Sequence, residues 1–186
     1  MTERYFVVEG KNDEFVLKQL LPDALLKDTK IIVASGHSSG LSIIQTLFTL
    51  TPLPISFFFD ADTYSEEKIS ENTQFIHSYL KKSFDNSFLL FPMKPEMEIL
   101  FFYKRELLNK LLDNPISDDL WQRSSYEPCK VLMELLECKR RDQLSNFLEK
   151  KLTSEIVQEL QQNPLINDIV QAHIDTSVVN NNAIAA

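Results

Sequence analysis

The sequence predicts an α/β fold, with a four-stranded parallel sheet in its first half and an all-helical extension in its second half. Up to about residue 103, four short apolar runs alternate with segments of helical periodicity, and only helical segments follow. At 186 residues, with 44% hydrophobic and 25% charged side chains, the composition is that of a soluble globular protein. We therefore expect a sheet domain at 1–103, a helical extension at 104–175 and a disordered tail at 176–186.

The predicted strands are short runs rich in Val, Ile and Phe, as expected for strands buried on both faces. They cover residues 4–8, 30–34, 55–59 and 87–91. Helices are predicted from Asn12 to just before Pro22, over residues 41–50, and after Ser65. Strands joined through helices form right-handed crossovers, so neighbouring strands should run parallel. In the second half, helices are predicted over residues 98–112, 128–137, 142–152, 154–160 and 165–174.

The net charge of −8 argues against a protein that holds nucleic acid on a broad basic surface. Nucleic acid would instead be bound weakly, through bound metal, through a partner or through local basic clusters. These clusters are Lys104/Arg105, Lys139/Arg140/Arg141 and Lys150/Lys151, although such groups are more often solvated helix faces.

Three observations concern location and redox state. No apolar run approaches the about 20 residues that a membrane helix needs, and no signal peptide precedes the first strand. Cys129 and Cys138 form no CxxC motif and are expected to be reduced thiols. His77 and His173 have no partner at zinc-ligand spacing, so zinc is not expected. Together these features predict a cytoplasmic protein without membrane contact.

Acidic residues follow three of the predicted strands, at the sheet edge where parallel α/β folds bind ligands. They are Glu9, Asp13, Asp60, Asp62, Glu96 and Glu98. Mg²⁺ prefers carboxylate and water ligands, and clustered carboxylates repel one another unless cations neutralise them. We therefore expect Mg²⁺ or Mn²⁺, with one or two ions serving attack at phosphorus. The alternative is that these acids are ordinary turn and helix-cap residues.

Four residues beside these acids are candidates for binding substrate or phosphate, namely Gly10, Lys11, Gly36 and His37. Glycine at a strand end permits a tight turn and lets a ligand approach the backbone closely. The turn at residues 36–40 lacks the lysine of a phosphate loop, so a helix cap by Ser38 or Ser39 is the simpler explanation.

Several of these motifs resemble the toprim domain of topoisomerases, primases and small nucleases. They are Val8-Glu9-Gly10-x-x-Asp13, the glycine turn at Gly36 and Phe59-Asp60-Ala61-Asp62. The resemblance implies a Rossmann-like toprim sheet, with Glu9 as metal ligand or general acid/base and Asp60 and Asp62 binding Mg²⁺. Asp13 and the Glu96/Glu98 pair resemble more closely the OLD-type nucleases, which use a two-metal site and a late lysine, for which Lys94 is the nearest candidate.

The resemblance implies a Mg²⁺-dependent nuclease, with DNA preferred to RNA as its substrate, which acts either as a homo-oligomer or beside an ATPase partner. Two alternatives stay open within the family: a small toprim ribonuclease that processes ribosomal RNA, and a non-catalytic subunit that binds metal or nucleotide. Asp60-Ala61-Asp62-Thr63 also resembles the first motif of haloacid-dehalogenase phosphatases. That family has Thr or Val where this chain has Tyr64.

Overall fold

The computed structural model describes residues 4–81 and 88–184, with side chains described up to residue 174. Its strands are β1 Arg4–Val8, β2 Thr29–Val33, β3 Ile55–Asp60 and β4 Phe88–Met93. They form one sheet in the order β2-β1-β3-β4, and every neighbouring pair is parallel. The predicted α/β class with a four-stranded parallel sheet is confirmed; residue 87, the predicted start of the last strand, lies outside the described residues.

The helices between the strands are α1 Lys11–Leu20, α2 Asp23–Leu26, α3 His37–Leu50 and α4 Glu66–Lys81. Helix α3 begins four residues before the predicted helix at 41–50. Gly36, at φ +92°, turns the chain sharply enough for the helix to start at His37. The sequence did not predict the single-turn α2.

After β4 come the 3-10 helices Met97–Phe102 and Arg141–Gln143 and a series of α-helices. These are α5 Arg105–Leu112, α6 Asp118–Ser124, α7 Pro128–Leu135, α8 Leu144–Lys151, α9 Ser154–Leu160 and α10 Pro164–Ile184. The predicted helix at 98–112 is divided because Lys104 has an extended backbone. Within the described ranges, no helix combines the length and apolarity needed to cross a membrane. The side chains of the predicted tail, residues 176–186, are outside the part of the chain that the structure describes.

Two hydrophobic clusters cover the two faces of the sheet. On one face, Val7 and Phe57 pack with residues of α3 and α4. On the other face, Phe6 and Phe58 belong to a cluster that continues through α1 into the helices beyond residue 103. Each fully buried aromatic or aliphatic side chain contributes about 1.5–3 kcal/mol. The helices of the second half therefore share their core with the sheet.

A buried polar contact fixes the last helix against the central strand β3. Nδ1 of His173 lies 2.6 Å from the carbonyl oxygen of Ile169, and Nε2 lies 2.8 Å from Oγ of Ser56. Burial lowers the pKa of His173, which favours the neutral ring. A neutral ring that donates from Nδ1 to the carbonyl accepts the Ser56 hydroxyl proton at Nε2. Both ring nitrogens thus have hydrogen-bond partners, and the Ser56 contact holds α10 against the sheet.

Replacing Gly40 with alanine should destabilise the protein, although alanine is the better helix former. A Cβ atom at position 40 would lie 2.7 Å from Cε2 of Phe57, a core ring that is 1% exposed. We expect urea denaturation to show a loss of about 1–3 kcal/mol in the free energy of unfolding. Ser38→Ala, an exposed position in the same helix, is the control and should change it by less than about 0.5 kcal/mol. A more stable Gly40→Ala protein would contradict this packing of α3 against β3.

Candidate metal centre

Two acids come from the ends of the two central strands. Val8 pairs with Phe58 in the parallel register of β1 and β3, so the strands end side by side. Glu9 follows β1 directly, and Asp60 is the last residue of β3. The sheet topology itself brings these carboxylates to one edge, as the sequence predicted from strand ends.

A cleft of about 350 Å³ opens at this edge. Its lining residues are Glu9, Gly10, Lys11, Asn12, Asp13, Gly36, Asp60, Arg141 and Asp142. Three of the predicted acids, Glu9, Asp13 and Asp60, therefore line the same space as Gly10 and Gly36. Lys11 is exposed at its border, in keeping with the predicted role in binding substrate or phosphate.

Asp13 caps the helix on which it lies. Its Oδ2 accepts a hydrogen bond of 2.8 Å from the backbone N–H of Gly10, and its side chain is buried. Loss of solvent and the nearby Glu98 charge raise the pKa of Asp13 to about 6. Any Cβ at Gly10 would lie 3.5 Å from this carboxylate, which is ordinary contact, so the close turn does not itself demand glycine.

Asp60 is held by two donors. Oδ1 accepts a 2.9 Å hydrogen bond from the backbone N–H of Met97, and Oδ2 lies 3.2 Å from Nη2 of Arg141. The pKa of Asp60 is raised to about 7, first by burial and then by the negative charge of Asp13. The carboxylate is therefore fixed in place while its negative charge is only partly compensated.

Glu9 is oriented by the histidine of the next strand-helix turn. Nδ1 of His37 lies 3.0 Å from Oε1 of Glu9, and both side chains are partly exposed. The imidazole packs against Phe57 and Phe59, with ring centroids 5.5 and 5.2 Å away. His37, predicted as a substrate-binding residue, thus contacts an acid of the cleft and fixes its direction.

Glu98 lies behind the cleft and is completely buried. Among the described residues, neither of its carboxylate oxygens has a hydrogen-bond partner. The guanidinium of Arg141 approaches it, with Nη2 3.5 Å from Oε1 of Glu98. Burial raises the pKa of Glu98, and the Arg141 charge opposes that rise. An ionised carboxylate in this position needs a cation close by.

Arg141 supplies part of that positive charge, and the sequence did not single it out for this role. Its side chain reaches both Asp60 and Glu98, while its carbonyl oxygen accepts a 2.8 Å hydrogen bond from Nδ2 of Asn12. The sequence showed it only as one member of a basic cluster. A contact between residues 81 positions apart leaves no periodic signal in the sequence.

Glu96 and Glu98 meet a cysteine on α7. Oε2 of Glu96 accepts a 3.1 Å hydrogen bond from the backbone N–H of Cys129, in the first turn of that helix. One ligand atom from each of Glu96, Glu98 and Cys129 lies within 4.8 Å of the others, so this cluster could hold a metal ion. The alternative left open from the sequence placed Glu96 in the first turn of the helix that follows it; Glu96 makes no side-chain cap hydrogen bond there and accepts one from α7 instead.

Asp62 and Lys94, like His37, Glu96 and Glu98, are predicted site residues that are not part of the cleft lining. Asp62 is exposed, in the left-handed region at φ +53°, and its backbone N–H donates to the carbonyl of Pro95 at 2.9 Å. Lys94 forms a surface ion pair with Glu66, with Nζ 2.8 Å from both carboxylate oxygens. The expectation that Asp60 and Asp62 both face one ion is not reflected in the residues that line the cleft.

The cleft acids and Glu98 concentrate negative charge in one region. Glu9, Asp13, Asp60 and Glu98 bring four carboxylates to one region, and Arg141 contacts two of them. When all four are ionised, a single guanidinium leaves an excess of negative charge in a poorly solvated site. Protonation reduces that excess, as the raised pKa values of Asp13 and Asp60 indicate, and so would a bound cation.

Comparison of this chain with protein-family models, curated proteins and solved structures finds no match. The resemblance to the toprim domain therefore remains a prediction from the motifs around Glu9 and Asp60. Function is inferred below from the geometry and charge of the site.

Without metal, the protein should lose stability as the pH rises from about 4 to about 7. The pKa of Asp60 is about 7 in the folded protein against an ordinary value of 3.8, so the folded state keeps a proton that the unfolded state releases. This stabilisation is complete below the lower value and is lost as the pH passes the upper one. For each retained proton, the free energy of unfolding falls by at most about 1.4 kcal/mol per pH unit.

Urea unfolding in EDTA at pH 5 and pH 8 measures this difference. In Asp60→Asn, which cannot titrate at this position, the difference between the two pH values should shrink. Asp62→Asn, an exposed neighbour, is the matched control and should behave as the unchanged protein. An Asp60→Asn protein with the full pH difference would contradict this account.

Replacing Arg141 with alanine should destabilise the metal-free protein. It leaves Glu98 and Asp60 without the guanidinium, and we expect the free energy of unfolding at pH 8 to fall by about 1–3 kcal/mol, since Arg141 is itself half exposed. The control is Arg140→Ala, whose ion pair with Asp142 is exposed and should contribute less than about 0.5 kcal/mol. Equal losses in the two variants would show that Arg141 does not compensate the buried acids.

Proposed function

We propose that the protein is a Mg²⁺- or Mn²⁺-dependent nuclease of the toprim type, which hydrolyses phosphodiester bonds of nucleic acid. The observation that carries the proposal is the convergence of Glu9, Asp13 and Asp60 on one cleft, with Glu98 buried behind it. Ligands of parallel α/β sheets bind at this edge. Phosphoryl transfer on a divalent cation is a reaction that uses such a set.

Glu9, Asp13 and Asp60 are the residues that would hold an ion in the cleft. When bound, such an ion acts as a Lewis acid toward phosphate and makes a neighbouring water more acidic. Asp60 is positioned for this role by Met97 and Asp13 by Gly10, so neither carboxylate has to be ordered on binding.

The remaining polar groups of the cleft fit the handling of substrate. Glu9 keeps its carboxylate directed by His37 and is the candidate base that takes a proton from the attacking water. Lys11 and Arg141 line the same cleft, and their positive charges suit the phosphate of a nucleic acid. Asp142 also lines it and would oppose a second phosphate nearby.

The substrate is proposed to be DNA rather than RNA, bound weakly by the protein alone. The net charge of −8 supports weak binding, because phosphate backbones are attracted mainly by basic surfaces. A homo-oligomer or an ATPase partner would supply the missing affinity. A cytoplasmic location is part of the same proposal.

A second candidate is a non-catalytic subunit that binds metal or nucleotide and regulates a partner. The contact of Arg141 with both Asp60 and Glu98 favours it, because this guanidinium already provides part of the charge that a cation would supply. In that case a ligand would change the stability of the protein without any bond being cut.

The nuclease is tested with plasmid DNA, linear DNA and structured RNA, each incubated with Mg²⁺, Mn²⁺ or EDTA. We expect metal-dependent cutting that falls at least about 100-fold in Asp13→Asn, Asp60→Asn and Glu9→Gln. Glu14→Gln is the matched control, since Glu14 lies next to Asp13 on α1 but pairs with Lys18 away from the cleft.

The outcomes separate the two candidates. Cutting that survives in Asp60→Asn would exclude the proposed site. Absence of cutting on every substrate, together with metal-dependent stabilisation that Asp60→Asn removes, would favour the regulatory subunit. Asp62→Asn tests whether Asp62 binds the ion together with Asp60. A loss of cutting equal to that of Asp60→Asn would support the paired role that the resemblance implies for the two residues.

A further inference from the structure

Behind the cleft, Arg141 separates the cleft acids from a second group of potential ligands. This group, the inner cluster, consists of Glu96, Glu98 and Cys129. Glu96 and Glu98 flank the start of the 3-10 helix that follows β4, and Cys129 lies in the first turn of α7. The inner cluster thus joins two elements that are separate in the sequence and packed together in the fold.

The inner cluster contains a buried carboxylate that interacts with the Cys129 thiol and the Arg141 guanidinium but forms no hydrogen bond of ordinary geometry. Glu98 is 0% exposed, and within the described part of the chain both of its oxygens lack a hydrogen-bond partner. The 3.5 Å approach of Arg141 supplies charge without a hydrogen bond that meets the ordinary geometric limits. Leaving buried carboxylate oxygens in this state is costly, and a directly bound cation removes that cost.

The backbone of α7 holds the other two members together. The N–H of Cys129 donates to Oε2 of Glu96, which fixes the glutamate against the cysteine. Cys129 is buried and free, and burial beside Glu98 raises the pKa of its thiol. The sulfur is therefore a protonated thiol in the absence of metal, and its position is already set by the helix.

We propose that Glu96, Glu98 and Cys129 form a metal site for a thiolate-accepting divalent cation such as Zn²⁺ or Co²⁺, distinct from the Mg²⁺ proposed for the cleft. One sulfur and two carboxylates favour a borderline-soft ion, whereas Mg²⁺ takes oxygen ligands and keeps its waters. Binding forms a metal–sulfur bond, breaks the S–H bond and releases the thiol proton to solvent. Glu96, the half-buried member, marks the side from which the ion enters.

The site revises two expectations from the sequence. Glu96 and Glu98 were expected to complete the shell of a second Mg²⁺, and zinc was not expected because the histidines lack partners. Cys129 changes both expectations, since a thiolate selects against Mg²⁺ and does not depend on a histidine. The proposed role is structural: the ion ties α7 to the segment after β4. It does not rest on nuclease activity.

Cobalt absorption tests the site on the full chain. The protein is freed of metal with EDTA, exchanged into EDTA-free buffer, and titrated with Co²⁺. Coordination by sulfur gives a sulfur-to-cobalt charge-transfer band that oxygen ligands do not give. We expect this band in the unchanged protein, its loss in Cys129→Ser, and its retention in Cys138→Ser, the matched control at the second free cysteine. Glu98→Gln should weaken Co²⁺ binding by more than the about 10–100-fold typical of losing an outer-shell partner.

A second measurement covers the case in which Cys129→Ser does not fold. In the unchanged protein, Zn²⁺ should slow alkylation of Cys129 and leave Cys138 unaffected, as mapped by mass spectrometry, and excess Mg²⁺ should not reproduce the protection. Absence of the charge-transfer band at saturating Co²⁺, or a band that persists in a folded Cys129→Ser protein, would overturn the site. Equal protection by Mg²⁺ would do the same. Each result is independent of whether the cleft cuts nucleic acid.

Discussion

The compensation of buried negative charge is the constraint on which the rest of this structure depends. Parallel strands that end side by side bring Glu9 and Asp60 together, and the following helix and loop add Asp13 and Glu98. A folded protein tolerates carboxylates at this density only if some are protonated or cations neutralise them. Arg141 provides one positive charge, which makes the second half of the chain part of the site rather than a separate attachment.

The sequence predicted the sheet and one side of the site, because both follow from local patterns. Buried strands are continuous apolar runs, and parallel connection brings their carboxyl ends to one edge, which located Glu9 and Asp60. The contacts of Arg141 and Cys129 could not be found in this way, since they join residues far apart in the sequence. Asp62 lies outside the cleft lining, and its backbone enters the left-handed region immediately after the strand, which the sequence pattern does not reveal.

The loop after β3 and the segment after β4 behave as one unit. Ala61 donates to the carbonyl of Met93, Asp62 donates to that of Pro95, and Met97 donates to the carboxylate of Asp60. These three contacts link the cleft to the inner cluster. The two ions proposed here would therefore be bound by connected segments of the chain, each with its own ligand set.

The location of Arg141 in the sequence also bears on how the protein is made. The strands and most of the acids belong to the first hundred residues, whereas Arg141 and the helix that carries His173 follow later. During synthesis, the acidic edge emerges from the ribosome before its guanidinium, and one face of the sheet emerges before the helices that cover it. Domains fold as units during translation. One face of the sheet therefore lacks part of its helical cover, and Asp60 and Glu98 lack their guanidinium, until the second half of the chain has been synthesised.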